Sequence, residues 1–174
     1  MEKRNQQHTV VIPSHNTLEH LKNTYQSIKK YASNVPMVII DDASEDGTDI
    51  WLNSLNDENL TVIIGKKRKG HTYWYDEGMR IAKTDIVSIL HSDMIIGPNY
   101  FENMLKHLEK GKVVCATRIE PPIHPAGLEK HVQSFGMDYN DFTWEAFESF
   151  CVDTSKKDKD ITTKGIFAPW MLYK

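Results

Sequence analysis

Residues 38–48 read VIIDDASEDGT, an apolar run that ends in the adjacent aspartates Asp41 and Asp42. A second apolar run, IVSIL from residue 86, ends in the triplet HSD at residues 91–93. Apolar runs that end in acidic residues are typical of buried parallel strands, which present carboxylates at their C-terminal ends. Carboxylates in such a place can hold a nucleotide together with a divalent metal ion. The two runs therefore predict a ligand site at one edge of a parallel sheet.

Around these runs, short β-branched segments with turn residues at their ends predict strands. There are five of them, which we expect to be largely buried on both faces: His8–Ser14, Pro36–Asp41, Leu60–Gly65, Asp85–His91 and Val113–Arg118. The final run, GIFAPWMLYK, is also strand-like and ends without a turn or a cap. The chain thus offers strands along its whole length.

Segments with helical spacing separate the first strands. Residues 17–32 carry one apolar stripe, and either Asn16 or Thr17 can cap this helix. A short helix after the second strand can be capped by Asp46 or Thr48. Strand and helix patterns therefore alternate along this part of the chain.

A further helix over residues 98–111 extends the alternation. Repeated units of this kind imply an α/β fold, with a doubly wound, Rossmann-like, mostly parallel sheet and helices on both of its faces. In such sheets ligands bind beyond the C-terminal ends of the strands, where the two acidic runs end.

Composition limits the classes of function. The 174 residues with 40% apolar content suit one domain with a real core. A net charge of -3 lacks the strongly basic footprint of a sequence-independent nucleic-acid binder, so we expect no nucleic-acid partner. No stretch reaches the roughly 18 apolar residues that a membrane span needs. We therefore expect a cytoplasmic protein, with peripheral contact to a membrane as an open alternative.

Three blocks of the sequence resemble the successive signature blocks of the family 2 glycosyltransferases, whose fold is called GT-A. The blocks are VVIPSHN, VIIDDASEDGT and DEGMRIAKTDIVSILHSD, and their order and spacing agree with the family over about Thr9–Asn99. The resemblance implies a single GT-A domain over residues 1–174. It further implies a nucleotide-binding half over 1–118 and an acceptor-side half over 119–174, which we expect to be incomplete at its C-terminal end.

The resemblance assigns nucleotide contacts to the first two blocks. The loop after the first strand, with Pro13, Ser14 and His15, would lie against the nucleotide. Asp42 would accept a hydrogen bond from the base, and the N3 proton of uracil suits a carboxylate, which only accepts. Two alternatives stay open for Asp41, which either contacts the nucleotide or caps the loop or the helix that follows.

The segment Lys66–Gly78 is similar to the second nucleotide loop of the family. It reads Asp-Glu-Gly at residues 76–78, where the family usually has Asn-x-Gly. The resemblance places Lys69 and Asp76 at the nucleotide, where a basic side chain could meet the diphosphate as a charge-assisted partner. A solvated basic loop is the alternative for this segment.

The HSD triplet departs from the family pattern Asp-x-Asp, in which the last Asp binds Mn²⁺ or Mg²⁺ bridging the donor diphosphate. Asp93 keeps that last position, and His91 replaces the first Asp. Neutral imidazole suits Mn²⁺ better than Mg²⁺, so His91 is a metal ligand, a ribose contact or only the end of a strand. Ser92 could reach the ribose or a metal-bound water.

The resemblance implies a metal-dependent, inverting transfer of sugar from a nucleoside-diphosphate donor, by family weight a UDP-sugar. The acceptor would be a hydroxyl of a glycan, a lipid or a protein. The metal and basic groups would stabilise charge on the leaving phosphate. No residue is assigned as the catalytic base, which we expect beyond Lys174. The alternatives are a non-catalytic domain that binds sugar nucleotides or glycans, and a nucleotidyltransferase, whose usual glycine-rich loop does not follow the first strand here.

Aromatic residues are concentrated in the C-terminal part of the chain. They predict either a small second core or a surface on which sugars stack, and the core is the favoured interpretation. The set is Phe135, Tyr139, Phe142, Trp144, Phe147 and Phe150. Trp170 lies where members of the resembled family often line the acceptor pocket, and a place in the core is the equal alternative.

Overall fold

The computed structural model describes residues 7–123, 125, 127, 130–156, 161, 165, 166 and 168–174. Strands and helices alternate through the first two thirds of the chain: β1 His8–Ser14, α1 Leu18–Tyr31, β2 Met37–Asp41, α2 Thr48–Ser54, β3 Leu60–Ile64, α3 His71–Ile81, β4 Ile86–Ile89, α4 Tyr100–His107 and β5 Val113–Cys115. The remaining elements are β6 Arg118–Glu120, β7 Lys130–Val132, α5 Trp144–Thr154 and β8 Trp170–Tyr173.

Six strands form one mixed sheet in the order β3-β2-β1-β4-β8-β5. The strands β1 to β4 are parallel to one another, and β8 is antiparallel to both of its neighbours. The chain builds outward from β1 to β3 and then returns to place β4 on the other side of β1. This arrangement confirms the predicted α/β fold with a mostly parallel, doubly wound sheet.

Helices cover both faces of the sheet, as predicted. Val10 and Ile12 of β1 pack in one cluster with Leu21 of α1, and residues of α4 join the same cluster. Val11, which points the other way, packs in a second cluster with Tyr75 of α3. Because successive side chains of a strand point to opposite faces, β1 separates two apolar layers and is buried throughout.

Two strands are less buried than the sequence predicted. The pattern predicted burial on both faces for all five strands, but this is wrong for β3 and β5, which form the two edges of the sheet. Ile64 of β3 is 40% exposed, and Val113 of β5 is exposed as well. The predicted strand Val113–Arg118 is also divided, since β5 ends at Cys115 and Arg118 begins β6 in a separate two-stranded sheet.

The strand-like C-terminal run is confirmed as β8. It lies between β4 and β5 and pairs with both, and Met171 at its centre is fully buried. The main sheet therefore takes strands from both sides of residue 118. Among the described residues, no helix has the length and the apolar character that crossing a membrane requires.

The helix caps differ from the prediction at α1. Thr17 occupies the N-cap position, but its side chain makes no capping hydrogen bond. Instead, Asp46 from the loop after β2 accepts the backbone N–H of Leu18 at 2.8 Å. Its other oxygen accepts the backbone N–H of Thr48 at 3.1 Å, although Gly47 rather than Asp46 or Thr48 occupies the N-cap position of α2. One carboxylate thus holds the first turns of two helices, because both begin beside the same loop.

Part of the aromatic set in the C-terminal part forms a small second core, the interpretation favoured by the sequence, whereas Tyr139 is 39% exposed. Phe135 and Phe147 are buried, with ring centroids 5.7 Å apart. This core packs against α1, where Asn23 donates its side-chain N–H to the carbonyl of Tyr139 at 2.7 Å and Lys30 pairs with a carboxylate of α5. The C-terminal part is thereby attached to the same helix that covers β1.

Candidate functional site

An open cavity of about 230 Å³ lies at the C-terminal ends of β1, β2 and β4. The order of the sheet reverses between β1 and β4, and such a switch point opens a crevice for ligands in α/β sheets. Seven of the predicted site residues line this cavity: Pro13, Ser14, His15, Asp42, His91, Ser92 and Asp93. Four residues after β3 complete the lining: Arg68, Gly70, His71 and Tyr75.

Asp42 holds the loop that leads into α3. One of its carboxylate oxygens accepts the backbone N–H of Lys69 at 2.7 Å, and the other accepts that of Gly70 at 2.8 Å. Burial by itself raises the pKa of Asp42, but the nearby Trp74 indole and the two backbone N–H groups outweigh it and lower the pKa. The carboxylate is therefore ionised, and its oxygens retain the capacity to accept a further hydrogen bond from a ligand.

Asp41 has a different environment from its neighbour. Its side chain is 1% exposed and accepts the backbone N–H of Ser44 at 3.2 and 3.3 Å. It is not one of the side chains that line the cavity. Of the two alternatives for Asp41, the structure therefore contains the contact within the loop.

The loop after β1 is also fixed by the Asp42 backbone. The imidazole of His15 donates from Nδ1 to the carbonyl oxygen of Asp42 at 2.8 Å. The hydroxyl of Ser14 lies 2.9 Å from that of Thr17 at the start of α1. The loops after β1 and β2 are thus joined by a hydrogen bond.

Two of the predicted nucleotide contacts lie away from the cavity. Lys69 directs its ammonium over the ring of Tyr73, 5.0 Å from the ring centroid. Asp76 pairs with Arg80 at 2.8 Å on the exposed face of α3. Neither side chain lines the cavity, whereas Arg68 from the same basic run does.

Aromatic and imidazole rings form one wall of the cavity. Tyr75 stacks on His91 with ring centroids 6.1 Å apart and planes 6° apart. Trp170 packs edge-on against Tyr75 at 5.2 Å, and His71 lies 6.5 Å from His91. Burial lowers the pKa of His91 and outweighs the opposing effect of Asp93. His91 is therefore held as neutral imidazole, the form that can donate a lone pair to a metal ion.

The sequence indicated the segment that contains His71 and Tyr75 but not these two residues. They begin α3 and lie four positions apart, so they share one face of the helix. A sequence signal for them exists: an imidazole and an aromatic side chain stand at positions i and i+4 directly after Gly70.

The side chains present fit a divalent ion that is shared with a ligand. Asp93 is exposed at the cavity, beside the neutral His91. Within the part of the chain that the structure describes, no group of three or more His, Cys, Asp or Glu side chains could hold a metal. Mg²⁺ and similar ions at phosphate sites take one or two carboxylates and complete their coordination with phosphate oxygens and water. Asp93 matches the carboxylate of that kind of site, and the imidazole of His91 suits Mn²⁺ better than Mg²⁺.

A doubly wound sheet with a carboxylate, a basic side chain and a glycine loop at its switch point defines the chain as an α/β protein whose cavity lies where such sheets bind ligands. The family model described as glycosyl transferase family 2 matches residues 9–156. The chain therefore belongs to glycosyl transferase family 2, which confirms the resemblance carried by its three sequence blocks.

Two curated relatives are glycosyltransferases by name. The uncharacterized glycosyltransferase YfnE of Bacillus subtilis is 30% identical over 112 residues, which cover 62% of this chain and 29% of YfnE. The glycosyltransferase GlyG of Streptococcus pneumoniae is 24% identical over 105 residues, which cover 59% of this chain and 35% of GlyG. The chain thus spans about a third of the length of these relatives.

Solved structures share the fold. The mannosyltransferase PcManGT from Pyrobaculum calidifontis, in complex with GDP-Man and Mn²⁺, superposes with a TM-score of 0.59 at 22% identity, over 67% of this chain and 37% of PcManGT. Residues 1–349 of S. aureus TarS, in complex with UDP-GlcNAc, give a TM-score of 0.59 at 18% identity, over 70% of this chain and 37% of that protein. The predicted GT-A fold is therefore confirmed.

Proposed function

We propose that this chain is the donor-binding part of a glycosyltransferase that moves a sugar from a nucleoside diphosphate to an acceptor hydroxyl. One observation carries the proposal. The cavity at the switch point of the sheet brings Asp93 together with Arg68 and the loop that Asp42 anchors. A nucleotide donor needs three kinds of group. Asp93 supplies a negative group for a metal, Arg68 a positive group for the phosphates, and Asp42 an acceptor for the base.

The diphosphate would lie between Arg68 and Asp93. Arginine pairs with phosphate through a planar fork of donors, which makes Arg68 a better candidate than the Lys69 of the sequence prediction. Asp93, with His91 beside it, would hold Mn²⁺ or Mg²⁺, and the ion would supply charge stabilisation on the departing diphosphate. The Mn²⁺ in the PcManGT complex supports a divalent ion of this kind at the site.

The base would lie against Asp42. A remaining lone pair of Asp42 would accept the imide N–H of a pyrimidine such as uracil, while the hydrogen bonds from the Lys69 and Gly70 backbone stay in place. Pro13, Ser14 and His15 would border the nucleoside from the other strand end. UDP-GlcNAc in TarS and GDP-Man in PcManGT indicate that related folds accept different bases. We propose a UDP-sugar because the Asp42 carboxylate suits the imide N–H of uracil.

We propose an inverting reaction on a glycan, lipid or protein hydroxyl, and we leave the catalytic base unassigned. Two carboxylates line the cavity, and both already have roles, Asp42 with the loop and base and Asp93 with the metal. Deprotonation of the acceptor hydroxyl therefore needs a group other than these two.

Calorimetric titration of UDP, GDP and dTDP into the protein, each with Mn²⁺ and with EDTA, tests the proposal. We expect UDP to bind most tightly with Mn²⁺ and at least about tenfold more weakly with EDTA, since the ion would link Asp93 to the diphosphate. Preference for GDP would correct the base and leave the donor site in place. Binding of none of the three nucleotides would contradict the proposal.

A further inference from the structure

Three hydroxyl side chains on one face of α1 contact the segment that carries Asp93. Thr17 and Thr24 are seven positions apart, and Ser27 follows three positions later, so they lie along the same side of the helix. Thr24 and Ser27 are fully buried. This side faces residues 91–96, the segment that follows β4.

Thr24 binds that segment one residue before Asp93. Its hydroxyl lies 2.8 Å from the carbonyl oxygen of Ser92 and 3.2 Å from the carbonyl oxygen of His20. A threonine inside a helix usually donates to the carbonyl four residues earlier, which here is that of His20. The shorter contact goes to Ser92 instead, across 68 positions of sequence. The hydrogen bond therefore fixes the peptide that leads into Asp93.

Thr17 contacts the side chain of the same serine. Its hydroxyl lies 2.8 Å from the Ser92 hydroxyl and 2.9 Å from the Ser14 hydroxyl. Ser92 is thus held at its backbone through Thr24 and at its side chain through Thr17. The three hydroxyls also join the loop after β1 to the segment after β4.

Ser27 fixes the far end of the segment. Its hydroxyl donates to the carbonyl oxygen of Thr24 at 2.7 Å and accepts the backbone N–H of Ile96 at 3.1 Å. The segment is therefore attached to α1 on both sides of Asp93, whose own side chain is exposed. A valine at position 24 would fill the same space, so packing alone does not call for a hydroxyl there.

We propose that Thr24 is a positioning residue that orients Asp93 toward the donor diphosphate by holding the Ser92 carbonyl. This inference rests on the proposed function, because it assumes the metal role of Asp93. Groups that orient metal ligands in this way typically contribute ten- to a hundred-fold to metal affinity or activity.

The test compares Thr24→Val with Thr24→Ser by calorimetric titration of UDP. In Mn²⁺, Thr24→Val should raise the Kd about ten- to a hundred-fold, because the Ser92 carbonyl that leads into Asp93 is no longer held. In EDTA its Kd should equal that of the parent, since the metal-independent contacts are intact. Thr24→Ser keeps the hydroxyl and should restore the parent Kd in Mn²⁺. A Kd for Thr24→Val within twofold of the parent in Mn²⁺ would overturn the inference.

Thr9→Val is the matched control. Thr9 is 2% exposed, and its hydroxyl lies 2.8 Å from that of Thr84. It lies near the N-terminal end of β1, whereas the cavity is at the C-terminal end. The two valine variants remove one buried hydroxyl each and should lose similar stability in urea. Thr9→Val should leave both Kd values unchanged. An equal rise of Kd in the two variants would show general destabilisation and would also overturn the inference.

Hydrogen exchange in the absence of nucleotide separates this inference from the proposed function. Thr24→Val should speed exchange of the backbone amides at residues 92–96, and Thr9→Val should not. If the parent binds no nucleotide, the proposed function fails and the role of Thr24 toward the donor fails with it. If the parent binds UDP with Mn²⁺ but exchange at 92–96 is unchanged in Thr24→Val, only the inference fails.

Discussion

Asp42 holds Gly70 in a backbone conformation that is open only to glycine. The Asp42 carboxylate accepts the Gly70 N–H at 2.8 Å, and Gly70 has φ of 87° and ψ of 155°. Residues with a Cβ essentially never occupy that region. Because Gly70 immediately precedes α3, the contact sets where His71 and Tyr75 enter the cavity. Asp42, directly after β2, thus acts through Gly70, 28 residues later, on the position of the wall that α3 builds.

Asp42→Asn tests this contact. The amide group of asparagine has one acceptor oxygen, and its NH₂ would face a backbone N–H of Lys69 or Gly70. Hydrogen bonds to charged groups contribute roughly 1.5–3 kcal/mol, so we expect the free energy of unfolding in urea to fall by about that amount. UDP affinity should fall as well, since the same carboxylate is proposed to meet the base.

Asp76→Asn is the control for Asp42→Asn. Asp76 pairs with Arg80 on the exposed face of α3, where ion pairs contribute little. We expect almost no change in its unfolding curve or in its affinity for UDP. An Asp42→Asn protein as stable as the parent would contradict the anchoring role, and an unchanged Kd for UDP would remove Asp42 from the nucleotide site.

Asp93→Ala should abolish the Mn²⁺ dependence of nucleotide binding. The Asp93 side chain is exposed, so its removal should leave the midpoint of urea unfolding unchanged. Calorimetry should give the same Kd for UDP in Mn²⁺ and in EDTA, equal to that of the parent in EDTA. Asp153→Ala removes an equally exposed carboxylate from α5 and should retain the Mn²⁺ dependence. A variant at Asp93 that still binds UDP more tightly with Mn²⁺ would refute the metal assignment.

The local parts of the fold could be predicted because their signals are contiguous. The bounds of β1 agree with the predicted strand His8–Ser14, and α1 lies within the predicted helix over residues 17–32. The position of β8 between β4 and β5 could not be predicted, because antiparallel pairing across more than 80 residues leaves no periodic pattern in the chain. The exposure of β3 could not be predicted either, because the order of strands in the sheet decides which strands lie at its edges.

The residues of the site also divide into those that local sequence predicts and those that depend on distant contacts. Ser14, Asp42 and Asp93 could be predicted, because a polar residue after an apolar run must lie at the end of its strand. Arg68 and Tyr75 depend on the turn at Gly70, which follows from a contact with a distant carboxylate. Thr24 was missed for another reason, since a hydroxyl residue within an apolar stripe gives no sign of its partner.

Asp57 makes stability depend on pH. Its side chain is 7% exposed and accepts hydrogen bonds from Lys29 at 2.8 Å, Tyr25 at 2.9 Å and the backbone N–H of Asn59 at 3.0 Å. Burial by itself raises the pKa of Asp57, but these three donors lower it below its ordinary value of 3.8. The folded protein therefore binds this proton less tightly than the unfolded chain, so stability is lost as pH falls through the folded pKa.

The pH effect can be isolated with Asp57→Asn. The difference in free energy of unfolding between parent and variant should be constant from pH 7 to about 5, where Asp57 is ionised in both states of the parent. It should shrink below about pH 4, as the unfolded chain takes up the proton. Asp153→Asn, at an exposed position, should show no such dependence. A difference that is as large at pH 3 as at pH 7 would contradict the assignment.

Gly78 lets α3 pack closely against β1. A Cβ at this position would lie 2.2 Å from Cγ1 of Val11 and 3.2 Å from Cδ1 of Ile40. Alanine is intrinsically favoured over glycine inside a helix by about 1 kcal/mol. The contact with Val11 reverses that preference, because a well-packed core accepts an added carbon only by shifting, at a cost of about 1–3 kcal/mol. We therefore expect Gly78→Ala to lower the free energy of unfolding in urea.

A double-mutant cycle attributes this loss to the contact itself. Val11→Ala removes the Cγ1 atom that the new methyl group would strike, at the cost of a cavity of its own. Gly78→Ala should therefore cost less in the Val11→Ala background than in the parent, with a coupling of roughly 0.5–3 kcal/mol. Because α3 carries His71 and Tyr75, relief of the clash should also recover part of any UDP affinity lost in the single variant. Strictly additive stabilities, or a Gly78→Ala protein more stable than the parent, would show that α3 has room to move away from β1.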